Sequence, residues 1–223
     1  MSSLFLLTLA AASAVLAQSR VVPDVESLHY TVNWPSELSL GEAQFVAKRV
    51  GGVWNFQMTL DASVPWFSVK DQFRSQASAG LCSEVFDKQT QHGKKSASEV
   101  TTFNRETGKA ARRTLPDGGT TQHQMGPCGR DALTFLYHVR YELAAGRVAA
   151  PATVIFGAPY HVKLDYGGVE KILGQDTDRL VGTAIGPSSE QRFELWFARD
   201  VARTMVRSRV PLAIGAFSLE LAR

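Results

Sequence analysis

Apolar and polar residues alternate along much of the chain. Leu28, Tyr30, Val32 and Trp34 stand against His29, Thr31 and Asn33, the period of two expected of a strand with one buried face. After a connection containing Pro35 the segment from Gly41 to Val50 reads as a second strand, Gly51-Gly52 turns the chain, and Val53 to Val64 completes a predicted hairpin. Pro65 to Val69 breaks the pattern and reads as a short helical turn. From Asp71 to Leu115 the segments are long and end at turn residues, His92-Gly93, Thr107-Gly108 and Pro116 to Gly119, which predicts meander strands. Their apolar content is thin, mainly Val85, Phe86, Val100, Phe103 and Leu115, so one face is expected to meet water.

The period then changes. Leu133, Leu136, Tyr137, Tyr141 and Leu143 or Ala144 recur at three- and four-residue spacing, with Asp131 placed to cap the start and Gly146 to end the run. That predicts an amphipathic helix. Strand signals resume in ATVIFG, PYHVKLDY, VEKILGQ, DRLVGTAIG, QRFELWFAR, ARTMVRSRV and IGAFSLEL, with Phe217, Leu219 and Leu221 sharing one face of the last. About eleven or twelve strands and one long helix are expected. The fold class is mainly β: a curved antiparallel sheet, or half-open β-barrel, with the helix packed on it.

The first 17 residues carry no charged side chain and run apolar from Leu4 to Leu16, too short to span a bilayer comfortably. They close on Val15, Leu16 and Ala17 before Gln18 and read as a cleaved signal peptide. Residues 18–223 are then expected to form a single β-rich domain. No later apolar stretch approaches membrane length, so no transmembrane span is expected in the mature chain. Its net charge of +3 is spread among interspersed acids and bases, which does not point to nucleic acid. Export also bears on the two cysteines, Cys82 and Cys128. An oxidising compartment favours a single disulfide, which would pin the start of the helix to the strand near Cys82. Two free thiols are the alternative, and no ligand set accompanies His123 and Cys128 to make a metal site.

Several pieces, taken in order, resemble one bacterial exported family, catalogued as domain of unknown function 3108. They are Leu28 to Trp34 followed by Leu40-Gly41-Glu42-Ala43, the helix from Asp131 ending in Tyr137-His138-Val139-Arg140, the strand and turn Leu195 to Asp200, and the closing segment Pro211 to Leu221. The resemblance implies an exported, mostly β protein of the Gram-negative envelope, located in the periplasm. It transfers no catalytic or ligand-binding residue. At the level of fold alone, the architecture is similar to the half-open barrels of lipoprotein carriers.

Catalytic motifs are missing: no GxSxG elbow, HExxH pair, Walker loop or GxGxxG turn occurs. The histidines at 29, 92, 123, 138 and 161 fall in five separate segments. Asp176 and Asp178, with Asp165, lack the spacing of a calcium loop and read as a solvated turn. No enzyme, cofactor or metal is expected. From Arg203 to Val210, alternation puts Arg203, Met205, Arg207 and Arg209 on one face and Thr204, Val206, Ser208 and Val210 on the other. Turned inward, the arginines would suit an acidic lipid or lipidated peptide; turned outward, they form the wet side of the sheet. Burial of three arginines needs paired acids, so the outward placement is expected, with the valines in the core. Phe193, Leu195 and Phe197 alternate with Glu194, Trp196 and Ala198, so both faces of that strand are apolar, and the helix or a ligand is expected over the second face. Tyr137 and Tyr141 read first as core and second as lining a cavity mouth. The leading functional expectation is a non-enzymatic envelope protein whose sheet holds a lipid or a lipoprotein acyl chain. The alternative is an assembly module that meets another envelope protein through the arginine face or a sheet edge.

Overall fold

A computed structural model describes residues 21–34, 38–64, 67–212 and 215–222. The predicted signal peptide lies outside these residues, as do Pro65 and Trp66 of the expected helical turn; Phe67 to Val69 of that segment begin a strand instead.

Among the described residues, fifteen strands form one sheet. The first arm comprises β1 (Val25–Asn33), β2 (Ser39–Val50), β3 (Val53–Val64), β4 (Phe67–Ala77), β5 (Ser83–His92), β6 (Lys95–Asn104), β7 (Lys109–Leu115) and β8 (Thr120–Gln124). After the two-residue β9 (Arg130–Asp131) and the helix α1 (Ala132–Ala144), the second arm follows: β10 (Ala152–Phe156), β11 (Ala158–Ile172), β12 (Gln175–Ile185), β13 (Glu190–Ala198), β14 (Met205–Leu212) and β15 (Gly215–Leu221). Each arm is a meander, and β1 joins them by pairing antiparallel with β15. All pairings are antiparallel except β9 with β10, and β8 and β9 end the sheet without meeting to close it.

The local causes are those the pattern anticipates. Gly51 and Gly52 turn β2 into β3 with φ of 59° and 86°, the left-handed geometry that a two-residue hairpin requires. Tyr30 and Val32 are buried while His29 is exposed. Fifteen strands exceed the eleven or twelve expected because β8, TTQHQ, and β9 carry no apolar alternation to announce them. Conversely, β11 is a single strand where two were read, bent by a bulge between Tyr166 and Gly168. Asp176 and Asp178 lie within β12 rather than in a turn.

Connections between strands fall alternately on two rims. One rim carries Gly51-Gly52, residues 78–82, Leu173-Gly174 and residues 199–204; the other carries residues 93–94, 116–119, Gly157 and 186–189. The helix lies across the first rim. At its start the buried Asp131 caps the Thr134 N–H at 3.0 Å and accepts from Ser75, Ser83 and Thr134 hydroxyls at 2.5, 2.6 and 2.9 Å. Burial raises the Asp131 carboxyl above its ordinary value, opposed by those donors. The Cys82–Cys128 disulfide, with Cα atoms 4.8 Å apart, ties the same corner to the start of β5. Farther along, Tyr137 stacks on Phe56 at 4.1 Å, and Arg140 forms a two-pronged pair with Glu26 at 2.6 and 2.7 Å. The Arg140 guanidinium also donates to the Ala202 carbonyl at 2.9 and 3.0 Å. Helix contacts with β1, β3, β4, β5 and the 199–204 turn therefore stopper one end of the half-barrel.

Candidate functional site

Between the helix and the concave face of the sheet lies a cavity of about 470 Å³. Its floor is the inner face of α1, with Leu133, Leu136 and Val139. Phe45, Met58 and Phe73 wall it from β2, β3 and β4, while Phe156, Val162, Phe193 and Leu195 wall it from the second arm. Ser208 and Gln191 are the lining residues with polar side-chain groups beside Tyr160. Inner faces of strands that should pack a core here leave a void, and such a space of roughly 300–1,000 Å³ is the size of a small-ligand site. It reaches solvent at the rim opposite the helix, where Gln191 and Val210 are exposed. Part of its shape follows from a glycine: the Phe193 ring lies directly over Gly182, where any side chain would push the ring back.

A polar cluster borders the cavity at this open rim. Lys88 is the cross-strand partner of Phe73, and its ammonium sits 4.8 Å over the Phe156 ring. Glu99 lies 3.5 Å from both Lys88 and Arg112. Arg112 reaches across the gap between the arms and donates to the Gly157 carbonyl at 2.8 Å. His123 stands beside it, its pKa lowered first by burial and then by Arg112. Arg112 Nε and His123 Nε2 are buried with no hydrogen-bond partner.

The residues singled out from sequence are distributed differently from expectation. Arg207 and Arg209 point outward as expected and pair with Glu220 at 2.6 Å and Glu194 at 3.2 Å. Arg203 is not on the strand: it sits in the preceding turn at φ 49° and donates to the buried Asp178 at 2.6 Å. Met205 is a correction, because it faces inward and lines the cavity. A register shift between Trp196 and Phe197 is the cause, since Phe197 pairs with Met205 and Trp196 with Arg207, leaving Val206 as the extra residue. Val206 therefore joins Trp196, Ala198 and Ile172 in a small cluster on the outer face, while Ser208 and Val210 line the cavity. The second face of β13 is consequently covered by that cluster and not by the helix. Trp196 is packed there by that cluster, with Arg179 and Arg207 each 5.8 Å from its ring and Glu170 accepting its N–H at 2.8 Å.

Tyr137 is buried in the core and Tyr141 packs against it, neither of them among the cavity-lining residues. Asp178 pairs with arginines and accepts from Tyr166. Among the described residues no group of three metal-ligating side chains converges, and no helix is long and apolar enough to cross a membrane. Lys88, Glu99 and Arg112 were missed: on strands with few apolar residues, alternating charges read as a solvated face, and only contact between the two arms turns them inward. Their one sequence signal is that Lys88 shares a strand face with Phe86.

A family model described as "Protein of unknown function (DUF3108)" matches residues 29–222. Among solved structures, the chain is similar to a β-barrel-like protein of domain of unknown function DUF1849 from Brucella abortus. That match has a TM-score of 0.68 at 9% identity and covers 92% of this chain and 97% of that one, a likeness of fold alone. The lipoprotein LppX of Mycobacterium tuberculosis matches at a TM-score of 0.31 and 15% identity, over 89% of this chain and 85% of that one, a score too low to count as the same fold. No curated protein matches the chain.

Proposed function

The chain belongs to the DUF3108 family, and from that premise we propose that it is a non-catalytic periplasmic protein that holds the acyl chain of a lipid or lipoprotein in its half-barrel. The observation that carries this reading is the apolar cavity, stoppered at one rim by α1 and open at the other. A water-sized group occupies about 30 Å³, so the space of about 470 Å³ takes a single chain rather than a multi-chain lipid. Its walls offer apolar contact along the chain and almost no group able to attack it.

The test is binding of the neutral fluorescent probe N-phenyl-1-naphthylamine by wild type and by Ala184→Trp, which places an indole in the void beside Phe193. Wild type is expected to bind one equivalent with a blue-shifted emission. The variant should stay folded and lose at least tenfold in affinity. Equal binding by both proteins, or none by wild type, would refute the groove.

A further inference from the structure

We infer that the occupant is a single-chain amphiphile ending in a carboxylate, with its chain in the groove and its head on Arg112 and Lys88 at the open rim. This rests on the acyl-chain reading above and narrows it to a free fatty acid, because a chain already esterified or amidated has no carboxylate to present.

The position follows from continuity of the walls. Lys88 is the direct partner of Phe73 across β4 and β5, and Phe73 lines the cavity, as does Phe156 beneath the Lys88 ammonium. A chain lying along those two rings ends beside Lys88. Gly157, next after Phe156, brings the seam between the arms close. A Cβ there would lie 3.1 Å from Glu99 Oε2 and 3.3 Å from Lys88 Nζ, on a backbone at φ 76° that itself favours glycine.

The charge follows from the partners. Lys88 and Arg112 are two cations sharing one anion, Glu99, through contacts of 3.5 Å to each, so one positive charge is left over. Burial and the neighbouring Arg112 disfavour protonation of His123, so it adds no further charge at neutral pH. On Arg112, Nη1 is taken by the Gly157 carbonyl and Glu99, while Nη2 makes a 3.5 Å contact with Thr121 and Nε has no partner. The Nε and Nη2 edge is the fork that binds a carboxylate through two parallel hydrogen bonds. A single surplus charge matches a carboxylate better than a doubly ionised phosphate.

Displacement of N-phenyl-1-naphthylamine by laurate, dodecanol and dodecyl phosphate tests the assignment in wild type, Lys88→Gln and Arg112→Gln. Laurate and dodecanol should both displace the probe from wild type, with laurate roughly tenfold tighter, as expected for a charge-assisted hydrogen-bonded head. Either substitution should remove most of that preference and leave dodecanol unchanged, which also reports that the groove is intact. Equal affinity for laurate and dodecanol in wild type would overturn the head site and leave the groove standing. Tighter binding of dodecyl phosphate than laurate would overturn the carboxylate. Failure of every ligand, with no probe bound, would instead be failure of the groove itself. Lys88→Gln keeps the test decisive should Arg112→Gln unfold, because Lys88 is held by a loose 3.5 Å ion pair and a contact over the Phe156 ring, whereas Arg112 links the two arms.

Discussion

Removing the carboxylate charge of Glu26 should loosen the stopper of the half-barrel. The Glu26 and Arg140 side chains are 7% and 2% exposed, and both guanidinium prongs are engaged at 2.6 and 2.7 Å. The Glu26–Arg140 hydrogen bond and charge hold the arginine's pKa up against its burial. Glu26→Gln leaves that cation in place with an amide in front of it, and breaking a buried pair from one side is destabilising by about 3–5 kcal/mol. For a chain of this size each kcal/mol moves the melting temperature by about 2–4 °C, so a fall of roughly 6–20 °C is expected by calorimetry. Replacing both partners, Glu26→Leu with Arg140→Met, removes the two charges together and should recover most of the loss. Because Leu133, Leu136 and Val139 of the same helix floor the cavity, probe affinity should fall with the single variant. A loss under about 1 kcal/mol for Glu26→Gln would mean that the pair is hydrated and that the helix is not held as described.

Other expectations follow from the same contacts. Changing Cys82 and Cys128 together to Ser releases a loop of 46 residues and should lower stability by about 2–5 kcal/mol; an unchanged melting temperature would show that Asp131 and its donors hold the corner alone. Arg203→Gln removes the closest partner of the buried Asp178 and should cost about 1–2 kcal/mol. By contrast, Arg209→Gln, at a half-exposed side chain, should cost less than about 0.5 kcal/mol, and equal losses in chemical denaturation would contradict that contrast.

Local signals foretold much of this architecture. The Gly51-Gly52 hairpin, the Asp131 cap and the three- and four-residue spacing of α1 depend on neighbours in sequence, and they appear where the pattern places them. Nearest-neighbour pairing within each arm follows from short turns. What escaped depends on distant partners. The extra residue Val206 moves Met205 inward, and nothing in an alternating run reveals a bulge that exists only relative to β13. Nothing near Glu26 in the sequence signals its burial, which comes from Arg140, far along the chain. The charges of β5, β6 and β7 read as a wet face until the arms curl together at Gly157. Periodicity tells which residues share a face; it does not tell how curvature encloses that face. The cavity and its rim cluster arise from that curvature, so the candidate site was the least legible part.

Whether the groove holds an acyl chain is decided by native mass spectrometry of the protein, expressed from its full sequence in a Gram-negative host, purified without detergent and compared before and after organic extraction. A reproducible added mass of one single-chain amphiphile, lost on extraction and absent from Ala184→Trp, is predicted. Wild-type protein that carries no added mass and takes up none when incubated with laurate would contradict it.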